Sequence, residues 1–207
     1  MTGLRSGFDF TAAIRTLCED ATRRLPEFGH IRMDDVAVSF SQTRKRVMYG
    51  TFASLTPLRF ANGESSETKH GRVYRIQPLL DAQGREMLYL LTFYLPRFLD
   101  LPMREKLITA LHELWHISPA FDGDLRRFPG RCYAHSGSKE EYDELMGVFA
   151  DRYLRLKPPR STWGFLERNF DELTRDHGRL FGVRYKHPRV YWKPLPAARE
   201  GKPKPRG

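Results

Sequence analysis

Apolar side chains recur three and four residues apart at Phe10, Ala13, Ile14, Leu17 and Ala21, a spacing that predicts an amphipathic helix over residues 8–25. The period then changes. Residues 36–40, 46–55, 73–76 and 88–95 are short runs rich in β-branched and aromatic side chains, bounded by turn formers such as the polar stretch 62–69. They predict a small sheet of three or four strands. Helical spacing returns over 100–116, where Asp100 reads as the N-cap, Pro102 falls in the first turn and Glu105 follows. Leu107, Ala110, Leu111, Leu114 and Trp115 form its apolar stripe, and Ser118, Pro119 and Gly123 mark its end. A second long helix is predicted over 138–156, with Tyr142, Leu145, Met146, Phe149 and Tyr153 on one face. Further on, 171–180 predicts a short helix and 183–193 two short strands about the turn Lys186-His187-Pro188. The order predicts an α+β fold: helix, three- to four-stranded sheet, helix, loop and packing helix over residues 1–156. A basic helix-plus-hairpin extension over 157–193 and a disordered Pro-, Lys- and Arg-rich tail over 194–207 complete the chain.

Charge changes this picture in its last quarter. The chain of 207 residues carries a formal net charge of +10. Residues 1–154 are almost balanced, whereas 155–207 hold 14 Lys and Arg against 5 Asp and Glu. The two cysteines, Cys18 and Cys132, match neither a CxxC pair nor a disulfide framework, which points to a reducing compartment and excludes a cysteine-built zinc ribbon. The N-terminus lacks the apolar core of a secretory signal, and the longest apolar stretch, near 87–95, is too short to span a bilayer. These features lead to the expectation of a cytoplasmic protein without a membrane partner.

The candidate chemistry lies at the end of the third predicted segment, in His112-Glu113-Leu114-Trp115-His116. Helical residues i and i+4 share a face, so both imidazoles of this HExxH motif can reach one metal ion. Glu113 lies about 100° around the helix, off that line but within reach of a metal-bound water, which suits a general base. A catalytic Zn²⁺ takes three protein ligands and keeps one open position. The best third ligand is His135, which follows a Gly- and Pro-rich loop; Asp122, Asp124, Glu140, Glu141 and Glu144 are the rivals. For the second donor that steadies a tetrahedral oxyanion, Tyr133, Tyr142, His177 and the pair Arg126-Arg127 are all candidates. An extended peptide substrate would be aligned by an edge strand, and residues 88–95, directly before the motif helix, are the candidate.

The helix, sheet and HExxH-helix plan of residues 8–155 resembles that of the SprT-like (Spartan-type) minigluzincin metallopeptidases. The stretches His112-Glu113-Leu114-Trp115-His116-Ile117, Asp122-Gly123-Asp124-Leu125-Arg126-Arg127-Phe128 and Tyr133-Ala134-His135-Ser136 more closely resemble the phage metallopeptidase family of zinc hydrolases. The resemblance implies a zincin-type domain, a Zn²⁺ site at His112, His116 and His135, Glu113 as catalytic base, and a protein or peptide substrate. The SprT-like pattern has a shorter loop before its third histidine, and it has a cysteine-rich zinc ribbon that this chain lacks.

The basic C-terminal region suggests a second partner. Arg184, Lys186, Arg189 and Lys193 alternate with Tyr185, Tyr191 and Trp192, and cations interleaved with rings suit phosphates and bases. Nucleic acid is therefore a candidate partner. The leading expectation is a zinc metallopeptidase. The alternative is a nucleic-acid-associated binding module with a structural or vestigial metal site, which would need neither Glu113 nor an open coordination position.

Overall fold

The structure is a computed structural model that describes residues 7–43, 49–127 and 139–195, without the side chains of 139–143. Of the expected disordered tail, Pro194 ends a strand and the Leu195 N–H donates to the Gly71 carbonyl, so order extends through residue 195; the rest of the tail lies outside the described residues. The chain begins with a short strand β1 (Phe8–Asp9) and helix α1 (Phe10–Arg24), capped by the Asp9 carboxylate, which accepts from the Ala12 N–H. Phe10, Ile14, Leu17 and Ala21 are buried, as their spacing predicts.

Strands β2 (Val36–Gln42) and β3 (Ala53–Pro57) follow, then β4 (Ser66–Lys69), β5 (Arg72–Ile76) and β6 (Tyr89–Leu95). The expected single sheet is in fact divided. One three-stranded sheet has the order β2-β6-β3, with β2 parallel and β3 antiparallel to the central β6. Residues 73–76 belong instead to β5, in a separate sheet.

Helix α2 (Met103–Trp115) carries the motif and packs on α3 (Lys139–Arg155). The bounds of α2 differ from expectation at its start. Pro102 occupies the N-cap position with no side-chain cap, and the Asp100 carboxylate instead accepts from the Phe170 N–H. Next come the short α4 (Arg160–Trp163), α5 (Phe170–His177) with an Asn169–Glu172 capping box, β7 (Leu180–Phe181) and β8 (Val190–Pro194). The predicted hairpin over 183–193 does not form: β8 pairs with β5 to give the sheet β4-β5-β8, while residues 183–186 are not in a strand. β7 pairs in parallel with β1.

One main core joins these parts. Phe10, Leu17, Leu91, Phe93, Leu107, Leu111, Leu114, Phe149 and Tyr153 share it with Leu166 and Leu173 from beyond α3. Lys106 enters this apolar setting from α2, only 2% exposed, and its ammonium donates to the carbonyls of Leu166 (2.8 Å) and Arg168 (2.7 Å). Burial lowers its pKa to about 8, against the opposing charges of Asp100 and Glu172. Lys106 thus fastens the turn 164–167 beneath the motif helix. Lys106→Met would leave two carbonyls without their donor, and we expect a loss of about 2 kcal/mol, read as a lower urea midpoint at unchanged m value. Among the described residues, no helix is long and apolar enough to cross a membrane.

Candidate metal centre

The motif helix turns its apolar face, Leu107, Ala110, Leu111 and Leu114, into the core. That fixes the rotation of the helix and leaves His112 and His116 half-buried on the adjoining side. Their rings meet edge to face with centroids 4.7 Å apart, so the two imidazoles occupy neighbouring turns on one side of the helix.

Glu113 is nearly buried, at 9% exposure, yet it lines the same cleft as His112. Burial pushes its carboxyl up to about 7, partly offset by the Leu55 N–H, which favours the charged form. The approach of that N–H follows from the register of β3. Phe52 accepts from Tyr94, and Leu58 donates to Leu88, so these residues turn their peptide groups toward β6. Alternation then turns the peptide groups of Ala53, Leu55 and Pro57 toward the open edge. At that edge the Leu55 N–H meets Glu113.

The edge strand is therefore β3, not residues 88–95. Those residues form the buried central strand β6, paired on both sides.

The cleft, about 1070 Å³, runs between β3, α2 and α3. Phe52, Ala53, Ile108 and Val148 give it apolar walls, and Glu105 and Glu144 add carboxylates. Its far wall is pinned by Arg104, which donates through Nε and a terminal nitrogen to both Asp151 oxygens at 2.9 Å. Gly147 of α3 allows that approach, since a Cβ there would stand 3.0 Å from the Arg104 guanidinium.

Beyond His116 the chain folds back over the end of the motif helix. The His116 carbonyl accepts from the Arg126 N–H at 2.7 Å, and Ile117 bridges Leu125. The Arg126 guanidinium donates to the Trp115 carbonyl at 2.7 Å and lies 3.8 Å from the Trp115 ring centroid. A cation at the C-terminal carbonyls of a helix is favourably placed. Gly123 has a φ of +89°, and a Cβ there would strike Arg59 at 2.5 Å.

Asp124 organises this turn. Its carboxylate accepts from Arg127 (2.8 and 2.9 Å), Leu125 N–H (2.8 Å) and Asn62 N–H (3.1 Å), and its carbonyl accepts from the Tyr89 hydroxyl (2.9 Å). Burial opposes its ionisation, but Arg127 and the two N–H groups together hold the carboxyl below its ordinary value.

No family model, curated protein or solved structure matches this chain.

The sequence-predicted residues therefore stand or fall on geometry. His112 and Glu113 line the cleft from one helix, and His116, at the C-cap of that helix, packs against the His112 ring. His135 lies outside the described residues, as does Tyr133, and so do the side chains of Glu140, Glu141 and Tyr142. Among the described residues, no three His, Cys, Asp or Glu side chains stand close enough to hold an ion. Asp124 is engaged by Arg127, and Asp122 accepts from the Asp124 N–H, so both serve the turn. Glu144 lines the cleft on α3, exposed.

Two oxyanion candidates are employed elsewhere. His177 packs on Phe8 with ring centroids 5.3 Å apart, and the Arg126-Arg127 pair secures the turn after the motif helix rather than being a solvated loop.

Sequence reasoning missed Leu55, whose contribution is a backbone group. It also missed His30, a half-buried ring whose Nε2 is buried without a hydrogen-bond partner among the described residues. Burial, then the charge of Arg126, lowers the pKa of His30.

Proposed function

We propose that this chain is a zinc-dependent metallopeptidase of the zincin plan. The observation that carries the reading is Glu113: a nearly buried carboxylate one residue from His112, opening on the same cleft. A residue that serves only packing has no need of a costly buried carboxylate at a cleft wall.

The donor chemistry suits zinc. His112 and His116 would supply two neutral imidazoles, and His135 is the proposed third ligand. When bound, zinc lowers the pKa of a coordinated water to about 7 and polarises the scissile carbonyl.

The chain's own groups do the rest. Glu113 accepts the water proton on a carboxylate oxygen and returns it to the leaving nitrogen, the task of a positioned general base. Outward peptide groups of Ala53 offer main-chain pairing to an extended peptide in the cleft.

Metal analysis tests the reading directly. Purified protein should hold about one zinc per chain, and His112→Asn, His116→Asn and His135→Asn should each lose most of it. Casein hydrolysis should cease on chelation and return with zinc. A chain that binds no zinc at neutral pH, or that hydrolyses casein equally well under chelator, would overturn the proposal.

A further inference from the structure

The sheet β4-β5-β8 stands apart from the cleft, and its composition is unusual for a surface. All of β8 is exposed: Val190 by 60%, Tyr191 by 43% and Trp192 by 48%. One end of the sheet is anchored, with Ile76 packed against the buried Leu58, Met87 and Leu90. The remainder extends toward the turn at His70 and Gly71 with much of its surface open to solvent.

Register sorts its side chains. Tyr74 lies opposite Trp192, and Arg72 opposite Pro194, so Arg72, Tyr74 and Trp192 share one face. Arg75 lies opposite Tyr191, and Val73 opposite Lys193, on the other. The Arg72 guanidinium lies 4.0 Å from the Trp192 ring centroid, covering one face of an indole that remains about half exposed. Across the three strands the cations are Lys69, Arg72, Arg75 and Lys193, and the sole carboxylate, Glu67, is bridged to Lys69 at 2.8 Å.

We propose that this sheet binds single-stranded nucleic acid, with bases stacked on Trp192 and Tyr74 and phosphates held by Arg72 and Lys69, which lies opposite Arg72 on the same face. Charge complementarity selects a polyanion. The rings select one whose bases are free to stack, which a duplex does not present. The Arg72–Trp192 stack holds the indole in place before any ligand arrives. Residues 66–76 and 190–194 come from distant parts of the chain, so the platform exists only in the folded protein. The proposal does not depend on the peptidase reading, because it uses no group of the cleft.

The test is fluorescence anisotropy of the full chain with a labelled 12-nucleotide oligo(dT), the matching duplex, and heparin as a polyanion without bases. The oligo(dT) should bind more tightly than the duplex, with affinity falling as salt rises, by a log–log slope of roughly −1.4 for two phosphate contacts. Trp192→Ala keeps every charge and should weaken oligo(dT) binding roughly tenfold or more while leaving heparin binding unchanged. Trp192→Phe, which retains a ring, should stay within a few-fold of the wild type. Unchanged oligo(dT) affinity in Trp192→Ala, tighter binding of the duplex, or an equal loss for heparin would each overturn the proposal, showing charge attraction without stacking.

Discussion

Glu113→Gln should leave zinc bound and lower the rate of peptide hydrolysis by roughly 10²- to 10⁴-fold, the range over which a positioned general base acts. The amide is nearly isosteric with the carboxylate, so the side chain keeps its place in the buried site and only its proton affinity is lost. The loss should appear in kcat with little change in KM, because the peptide is held by the strand edge and cleft walls rather than by Glu113. Casein turnover measured beside zinc stoichiometry separates the outcomes. Full turnover with zinc bound would remove Glu113 from the mechanism, and loss of zinc would mean that the variant disturbs the imidazoles.

The same substitution should stabilise the metal-free protein. Burial raises the Glu113 carboxyl from 4.5 to about 7, so its charged form is disfavoured in the folded chain. Below pH 4.5 the group is protonated whether folded or unfolded, and it imposes no penalty. As pH rises through 7 the unfolded chain ionises first, and stability falls until the penalty levels at about 3 kcal/mol. Glutamine does not titrate. Under chelator at pH 8, Glu113→Gln should therefore melt higher than wild type by roughly 5–10 °C, and the gap should close toward pH 4.5. Equal melting temperatures at both pH values would show that the carboxyl is not strained in the metal-free state. Lower activity with higher stability from one change is expected where a costly charge is kept for chemistry.

The elements with a strong local period were legible in the sequence. The stripes of α1 and α2 are buried largely as spaced, and so are Met146, Phe149 and Tyr153 of α3, though Leu145 is exposed, because an amphipathic helix writes its orientation into every third and fourth residue. Strand pairing was less legible, since partners are set by tertiary contacts. Residues 88–95 resembled an edge strand by position, yet Leu90 and Leu91 are both buried, the mark of a strand covered on both faces. Residues 183–186 resembled half of a hairpin, but the partner of β8 is β5, more than a hundred residues earlier. At the site, His112, Glu113 and His116 were visible because side-chain spacing alone brings them together. The Leu55 N–H was invisible because any residue would supply it, and only the register of β3 aims it at Glu113. Lys106 was hidden for a related reason: its carbonyl partners lie sixty residues away and leave no local signature.

The open margin of the β2-β6-β3 sheet carries one more consequence. Leu55 turns its outward donor toward the Glu113 carboxylate, and Pro57 has none to offer. A neighbouring molecule that tried to extend the sheet would find only a short foothold near Ala53. The margin thus admits a brief stretch of visiting chain while resisting the continuous ladder from which fibrous self-association grows.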